Sequence, residues 1–379
     1  MTSALERLRS DVASAIAPEP RAESLLKLAL CLAQLGKMDE AKSILSQVRG
    51  DFSSGRAPRV SIRLLLLEGV ISYYDNLHDS SDRLNRALVL AKAIDLRDLY
   101  AEVSVWISHL AYNFEKYKVL ENSLREVFAS FELLDDGLKA RACLLVADGS
   151  QYLEGSAAAS GWYTLARIFS RHAHDHAIMA AIEYNRLGMG LSRIRIERAL
   201  HRRAGEAMRR QWLLELESVK RLHVGFDVSA LSELLDLCDA YTHELLDEFS
   251  DAVLSLSAIQ RSGAATRCGV SDALLALEIA WCEAKLHGTG PGGFIFSECL
   301  DRIEKFDSNE RLLALSFIEE LNEISEDSVD FERYMRIRDG ATAHYQTTAA
   351  ELAGALDNIR SNFDIVAKMA GLPSSGVLI

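Results

Sequence analysis

Proline is nearly missing from this chain: there are five in 379 residues, and none lies between Pro58 and Pro291. A run of that length without proline suits uninterrupted helices, because proline in a helix interior costs about 3 kcal/mol. Strand-like alternation of apolar and polar residues is rare. No stretch approaches the roughly 18 consecutive apolar residues of a membrane span. The first twenty residues mix both charges and lack the apolar centre of a signal peptide. No two of Cys31, Cys143, Cys238, Cys268, Cys282 and Cys299 stand at CxxC spacing, and most sit in apolar helical runs. They read as reduced core thiols of a cytosolic protein rather than a disulfide framework or a zinc site. With a formal net charge of −13, the chain lacks the basic excess of a nucleic-acid or anionic-membrane binder. The expectation is a cytoplasmic protein with no nucleic-acid or membrane partner, no cofactor and no metal.

Apolar residues arranged at helical spacing are abundant. Hydrophobic residues make up 49% of the chain, enough for a large core. Leu25, Leu28 and Leu32 share one helix face. After a turn at Gly36, Ala41, Ile44, Leu45 and Val48 share another, at i, i+3, i+4 and i+7. The same hairpin recurs with turns near Asn76 and Asp79, at Glu115 and Lys116, and at Gly155. Turns at 36, 76, 115 and 155 give a period of about 40 residues, the mark of a helical solenoid. One hairpin cannot bury its own apolar face, whereas stacked hairpins share a continuous core.

The first hairpin resembles a tetratricopeptide repeat (TPR). A helix carrying Leu25, Leu28, Ala29 and Leu32 is followed by GKMDEA, then Leu45 and Val48. The resemblance implies close helix contact at Ala29 and Ala41. The third hairpin keeps the frame with Ile107, Ser108, Ala111 and Tyr117 but has Leu120 where alanine belongs, and the second keeps Gly69 and Ala87 with a one-residue shift. The pitch exceeds the usual TPR length. The likeness is therefore to the longer, degenerate TPR-like repeats of bacterial signalling and regulatory proteins, and it extends to about residue 175. HEAT-like repeats share the pitch and are the alternative. The expected fold is all-α: a TPR-like superhelix over 1–225, then a helical block over 226–379 that either continues the solenoid or forms a bundle.

Further helices are expected near 176–192, 198–222, 228–245, 248–262, 270–287, 294–306, 309–324, 328–345 and 347–370. His172, His174 and His176 fall within five residues, and on one helix His172 and His176 would share a face able to chelate a metal. No further ligand cluster supports that, and an inter-repeat turn with Asp175 as helix N-cap is expected instead. GTGPGG at 288–293 lacks the Lys-Ser/Thr of a phosphate loop and reads as a helix connection. Arg193 to His223 holds nine Lys/Arg against four Glu. Arg195, Arg198, Arg202, Arg203, Arg209 and Arg210 form either a solvated helix face or a cationic strip for an acidic protein or peptide. Leu300 to Arg333 is its acidic counterpart, with eleven Asp/Glu against four Lys/Arg, able to pair with the strip within or between chains. Leu352, Leu356, Ile359, Phe363 and Val366 form a narrow a/d seam that either caps the solenoid or joins two chains as a homodimer.

The function these features imply is a non-catalytic adaptor that binds a protein or peptide on the inner face of the repeats. The TPR resemblance does not extend to the carboxylate clamp for chaperone tails, because Leu26 and Leu30 stand where that clamp needs Lys and Asn. Two alternatives remain. One is a ligand-responsive regulator like the TPR peptide-pheromone receptors, although no N-terminal DNA-binding motif is present. The other is an enzyme with its site in the 226–379 block.

Overall fold

In a computed structural model of the chain, residues 3–52, 57–75, 79–200, 209–289, 296–303, 306, 308–325 and 331–372 are described. Regular structure among them is helical, without strands. The residues divide into two compact units. The first comprises Met1–Arg186, Leu222–Leu231 and Glu351–Ile379, and the second comprises Leu187–Arg221 and Ser232–Ala350. This differs from the sequence-based boundary at 225, because residues 351–379 return to the first unit.

Unit 1 opens with α1 (Ala4–Ser14), followed by four helical hairpins: α2 (Pro18–Gln34) with α3 (Met38–Asp51), α4 (Pro58–Tyr74) with α5 (Ser80–Ala93), α6 (Arg97–Asn113) with α7 (Tyr117–Ala129), and α8 (Asp136–Glu154) with α9 (Ser156–Ala173). The helix α10 (His176–Ala199) follows. First helices begin at residues 18, 58, 97, 136 and 176, a step of 39 or 40, as the turn spacing predicts. Pro18 and Pro58 stand at helix starts, where the missing N–H is harmless.

The connections share one device. At Gly36, Asp95, Glu115 and His174 the chain turns through the left-handed region. The N–H that follows bonds a carbonyl five residues back, as in Lys37 to Leu32 at 2.8 Å and Lys116 to Ala111 at 2.8 Å. This closure satisfies helix-end carbonyls and reverses the chain within two or three residues. Gly36 has a second constraint, since a Cβ there would lie 2.6 Å from the backbone nitrogen of Ala230.

Packing follows the periodicity. Ala29 and Ala41 are completely buried, together with Leu32, Leu45 and Val48. The first helices of neighbouring hairpins touch, α2 with α4, α4 with α6 and α6 with α8, whereas the second helices have no comparable contact with their counterparts. The stack therefore curves with its first helices on the inside. It also closes on itself: Ala4 N–H donates to the His174 carbonyl at 3.0 Å, and Ser229 N–H donates to Leu35 at 3.1 Å.

Unit 2 is again built from paired helices. After α11 (Arg209–Phe226), which is shared between the units, come α12 (Ser232–Leu245), α13 (Phe249–Ser262), the short α14 (Ala264–Arg267), α15 (Asp272–His287), α16 (Phe296–Ile303) and α17 (Ser308–Ser325). The pairs α12 with α13, α13 with α15 and α15 with α17 pack around Trp281, Leu256, Leu275 and Ile318. Steps between the starts of α12, α15 and α17 are 40 and then 36 residues (232, 272, 308), so hairpin pairing persists as the register shortens. The helix expected to break near 346 does not: α18 runs Phe331–Arg360, and a turn at Ser361–Asn362 separates it from α19 (Phe363–Met369).

Candidate binding surface

The inner face of unit 1 is built by residues that recur at the repeat distance. Glu23 on α2, Arg59 and Arg63 on α4, and Asp98 and Glu102 on α6 form a ladder. Arg59 reaches Glu23 at 3.2 Å and Asp98 at 2.5 Å, and Arg63 reaches Glu23 at 3.4 Å and Glu102 at 2.8 Å. Arg63 and Glu102 are buried, and burial pushes the Glu102 carboxyl up against the downward pull of Arg63. These charges are committed to one another. They bind hairpin to hairpin rather than offering themselves to a partner.

Towards the other ends of the same helices the surface changes character. Tyr73 and Tyr74 close α4, and the Tyr73 hydroxyl bonds the Asn113 amide at the end of α6, one repeat away. Tyr74 also meets Arg141 of α8, so the curvature brings second and fourth hairpins together. The Arg141 guanidinium lies 4.3 Å over the ring of Trp106. His109 is held near a pKa of about 3, by desolvation first and by the Arg141 charge second, and so is neutral at physiological pH. Deeper, Asp148 accepts from the Tyr163 hydroxyl at 2.9 Å and from the Asn185 amide at 2.7 Å. It is buried with no cation bonded to it among the described residues, and desolvation raises its pKa from 3.8 to about 7. Tyr73, Tyr74, His109, Tyr112 and Tyr152 are half-buried and Asn113 is exposed. The result is a run of amphipathic rings and amides on successive helices. The sequence reading did not single them out, although the forty-residue offsets of Arg63–Glu23 and Tyr73–Asn113 were there to be found.

The arginine strip does not form as expected at its start. Arg195 is buried, ion-paired with Glu278 and 3.5 Å from Glu244, with its guanidinium 3.5 Å over the Tyr241 ring. Burial drives the Glu278 carboxyl up while Arg195 pulls it down. Arg195 is thus an internal tie of unit 2, excluded from any exposed strip because two carboxylates on α12 and α15 face α10. Arg198 is half-exposed and lies over Trp281 at 4.9 Å, with Glu244 at 3.8 Å and Glu320 at 3.6 Å. The Arg198–Glu320 contact is one pairing of the basic and acidic stretches within the chain. Arg202 and Arg203 lie outside the described residues. Arg209 and Arg210 open α11, and their side chains lie outside the description as well.

The C-terminal seam is occupied by its own chain. Leu352, Leu356, Ile359 and Val366 are buried in the unit 1 core. Leu356 presses on Gly149 of α8, where an added Cβ would lie 2.6 Å from its Cδ1. Phe363 covers Gly161 of α9 and meets the Trp162 ring edge-on at 5.3 Å. Within the chain the seam lies over the fourth hairpin, with Leu352, Leu356, Ile359 and Val366 buried and Phe363 half-buried.

His172, His174 and His176 do not share a helix. His172 ends α9, His174 takes the left-handed turn, and Asp175 caps α10 by accepting from Ile178 N–H at 3.0 Å. His176 stacks on Phe226 at 4.3 Å beside a cleft of about 360 Å³ bounded by Glu6, Cys31, Lys37 and Asp227. In unit 2, His243, Glu248 and Asp251 bring three potential ligand atoms within 4.8 Å of one another. His243 Nδ1 is 2.7 Å from Glu248, which staples the α12–α13 turn. The five described cysteines are free thiols, and burial raises Cys31 and Cys238 to about 12. Among the described residues, no helix is long and apolar enough to cross a membrane. No family profile, curated protein or solved structure matches this chain.

Proposed function

We propose that this chain is a non-catalytic adaptor, a TPR-like repeat module that holds a protein or peptide segment on the inner face of unit 1. The observation that carries this reading is the run of half-buried Tyr73, Tyr74, His109, Tyr112 and Tyr152 with exposed Asn113, contributed by α4, α6 and α8. Aromatic rings with polar tips combine apolar contact area with hydrogen bonding, the composition enriched at protein interfaces. The packing of a solenoid core alone does not require them. The test is selection of random displayed peptides on the full chain. Enriched peptides should lose at least tenfold in affinity on Tyr74→Ala/Asn113→Ala, with the melting temperature kept within a few degrees. If that variant binds as the parent does, while Val89→Asp on the exposed side of α5 abolishes binding, the inner face is the wrong surface.

A further inference from the structure

Three arginines are buried among the described residues: Arg63, Arg141 and Arg195. Burying a guanidinium is costly unless carboxylates and hydrogen bonds compensate it. Two of the three are compensated in that way. Arg63 sits between Glu23 and Glu102, and Arg195 between Glu244 and Glu278. Arg141 is 8% exposed, and among the described residues no Asp or Glu comes within ion-pairing distance of it. Asp175 feels its field, but spends its own carboxylate capping α10. The groups that touch Arg141 are neutral: the Tyr74 hydroxyl, the Trp106 ring beneath it and uncharged His109. The Trp106 indole N–H is itself buried and has no acceptor among the described residues. A fixed positive charge and, in the ring stacked beneath it, an unused buried N–H donor are what an oxyanion would complete. Arginine is the side chain suited to it, with a planar fork that matches carboxylate and phosphate oxygens.

We propose that Arg141, with Trp106 and Tyr74 beside it, is an oxyanion-binding site on the inner face, which takes a carboxylate or phosphate group borne by the ligand. This rests on the inner face being the surface that meets the partner, and it adds the chemistry by which the partner is recognised. It also moves the acidic-partner expectation from the strip beginning at Arg195 to a different arginine. An anion there would occupy the place that Glu23 and Glu102 take at Arg63, so binding would supply from outside the counter-charge that the fold leaves out.

The experiment measures melting temperature of the full chain in sodium phosphate, sodium glutarate and sodium chloride at equal ionic strength. A ligand that binds only the folded state raises its stability by RT ln(1 + [L]/Kd), and the melting temperature with it. Phosphate or glutarate should give a rise of several degrees over chloride. Which of the two does so identifies the oxyanion. Arg141→Met should abolish the rise. Arg141→Lys, which keeps the charge but not the fork, should retain part of it, and Trp106→Phe, which keeps a ring but removes the N–H, should also shrink it. If Arg141→Met fails to fold, the Lys and Phe variants decide the matter. No rise in the parent, or an equal rise in parent and variants, overturns the proposal. Displayed peptides separate it from the adaptor reading. Selected peptides that lack a common acidic position and ignore Arg141→Met would sink the oxyanion site alone. An Arg141-dependent anion shift with no peptide enrichment would sink the adaptor reading alone.

Discussion

Asp148 makes the stability of unit 1 depend on pH in a direction opposite to that of most carboxylates. Its side chain is buried between α8, α9 and α10, and its two bonded partners, Tyr163 and Asn185, are neutral. Desolvation lifts the carboxyl from its ordinary 3.8 to about 7. The folded state therefore binds the proton more tightly than the unfolded chain. Stability from this group is complete below about pH 4, falls as pH rises between the two values, and is lost above about 7. Three decades of proton affinity at about 1.4 kcal/mol each give a penalty of about 4 kcal/mol at pH 8.5. Asp148→Asn removes the ionisation and keeps the shape. Its oxygen can accept from Tyr163, and the Asn185 amide can turn to receive its NH₂. The assay is chemical denaturation of parent and variant at pH 5, 7 and 8.5, because the difference between them cancels every other titrating group. The variant should gain on the parent by about 3 kcal/mol between pH 5 and 8.5, the rest of the penalty having built up below pH 5. A difference independent of pH, or a parent that gains on the variant at high pH, refutes the argument.

Other predictions concern the packing that holds the hairpins. Ala41, completely buried where α3 meets its neighbours, should not accept a larger side chain: Ala41→Leu should cost about 1–3 kcal/mol in denaturant midpoint experiments. Gly36→Ala should cost more than the roughly 1 kcal/mol of a left-handed alanine, since its Cβ would also meet the Ala230 backbone at 2.6 Å; amide exchange of residues 222–231 should rise along with the loss in stability. Leu356→Asp should destabilise unit 1 by about 3–5 kcal/mol, an unpaired charge set against α8, with no change in the mass measured by light scattering. A clean conversion of dimer to folded monomer would make the seam an interface between chains.

The hairpin architecture was legible in the sequence because its causes are local. Apolar residues at i, i+3, i+4 and i+7 make helices, and Gly36, Glu115 and Gly155 end them at fixed intervals. Turn positions alone gave the period observed in the helix starts. The break in the last helix was misplaced because nothing near residue 346 stops a helix, whereas Asn362 and Phe363 begin a new one whose first ring meets Trp162, about 200 residues earlier. The C-terminal return to the first unit was illegible for the same reason. Leu352 and Leu356 announce a buried stripe, but the stripe does not name Gly149 as what covers it.

The charged residues show the limit more sharply. Arg195 and Arg198 stand three apart in a basic stretch, and composition treats them alike. Arg195 is sealed between two carboxylates from other helices, while Arg198 remains half-exposed over Trp281. Arg141 stands out by no count of charge, in a helix that also carries Lys139, Asp136, Asp148 and Glu154. Its significance comes from a comparison only the fold permits, that of three buried arginines of which two carry their own counter-ions. Carboxylates at Glu23 and Glu102 cost nothing to recognise once the repeat register is known, since both lie 39 or 40 residues from Arg63. Applied to Arg141, the same register reaches Glu102 one repeat back, and that carboxylate is already committed to Arg63. The inner face thus passes from self-satisfied ion pairs among α2, α4 and α6 to an unmet positive charge at the equivalent position of α8. That gradient is the physical basis for placing the partner's acidic group beside Tyr74 and Trp106.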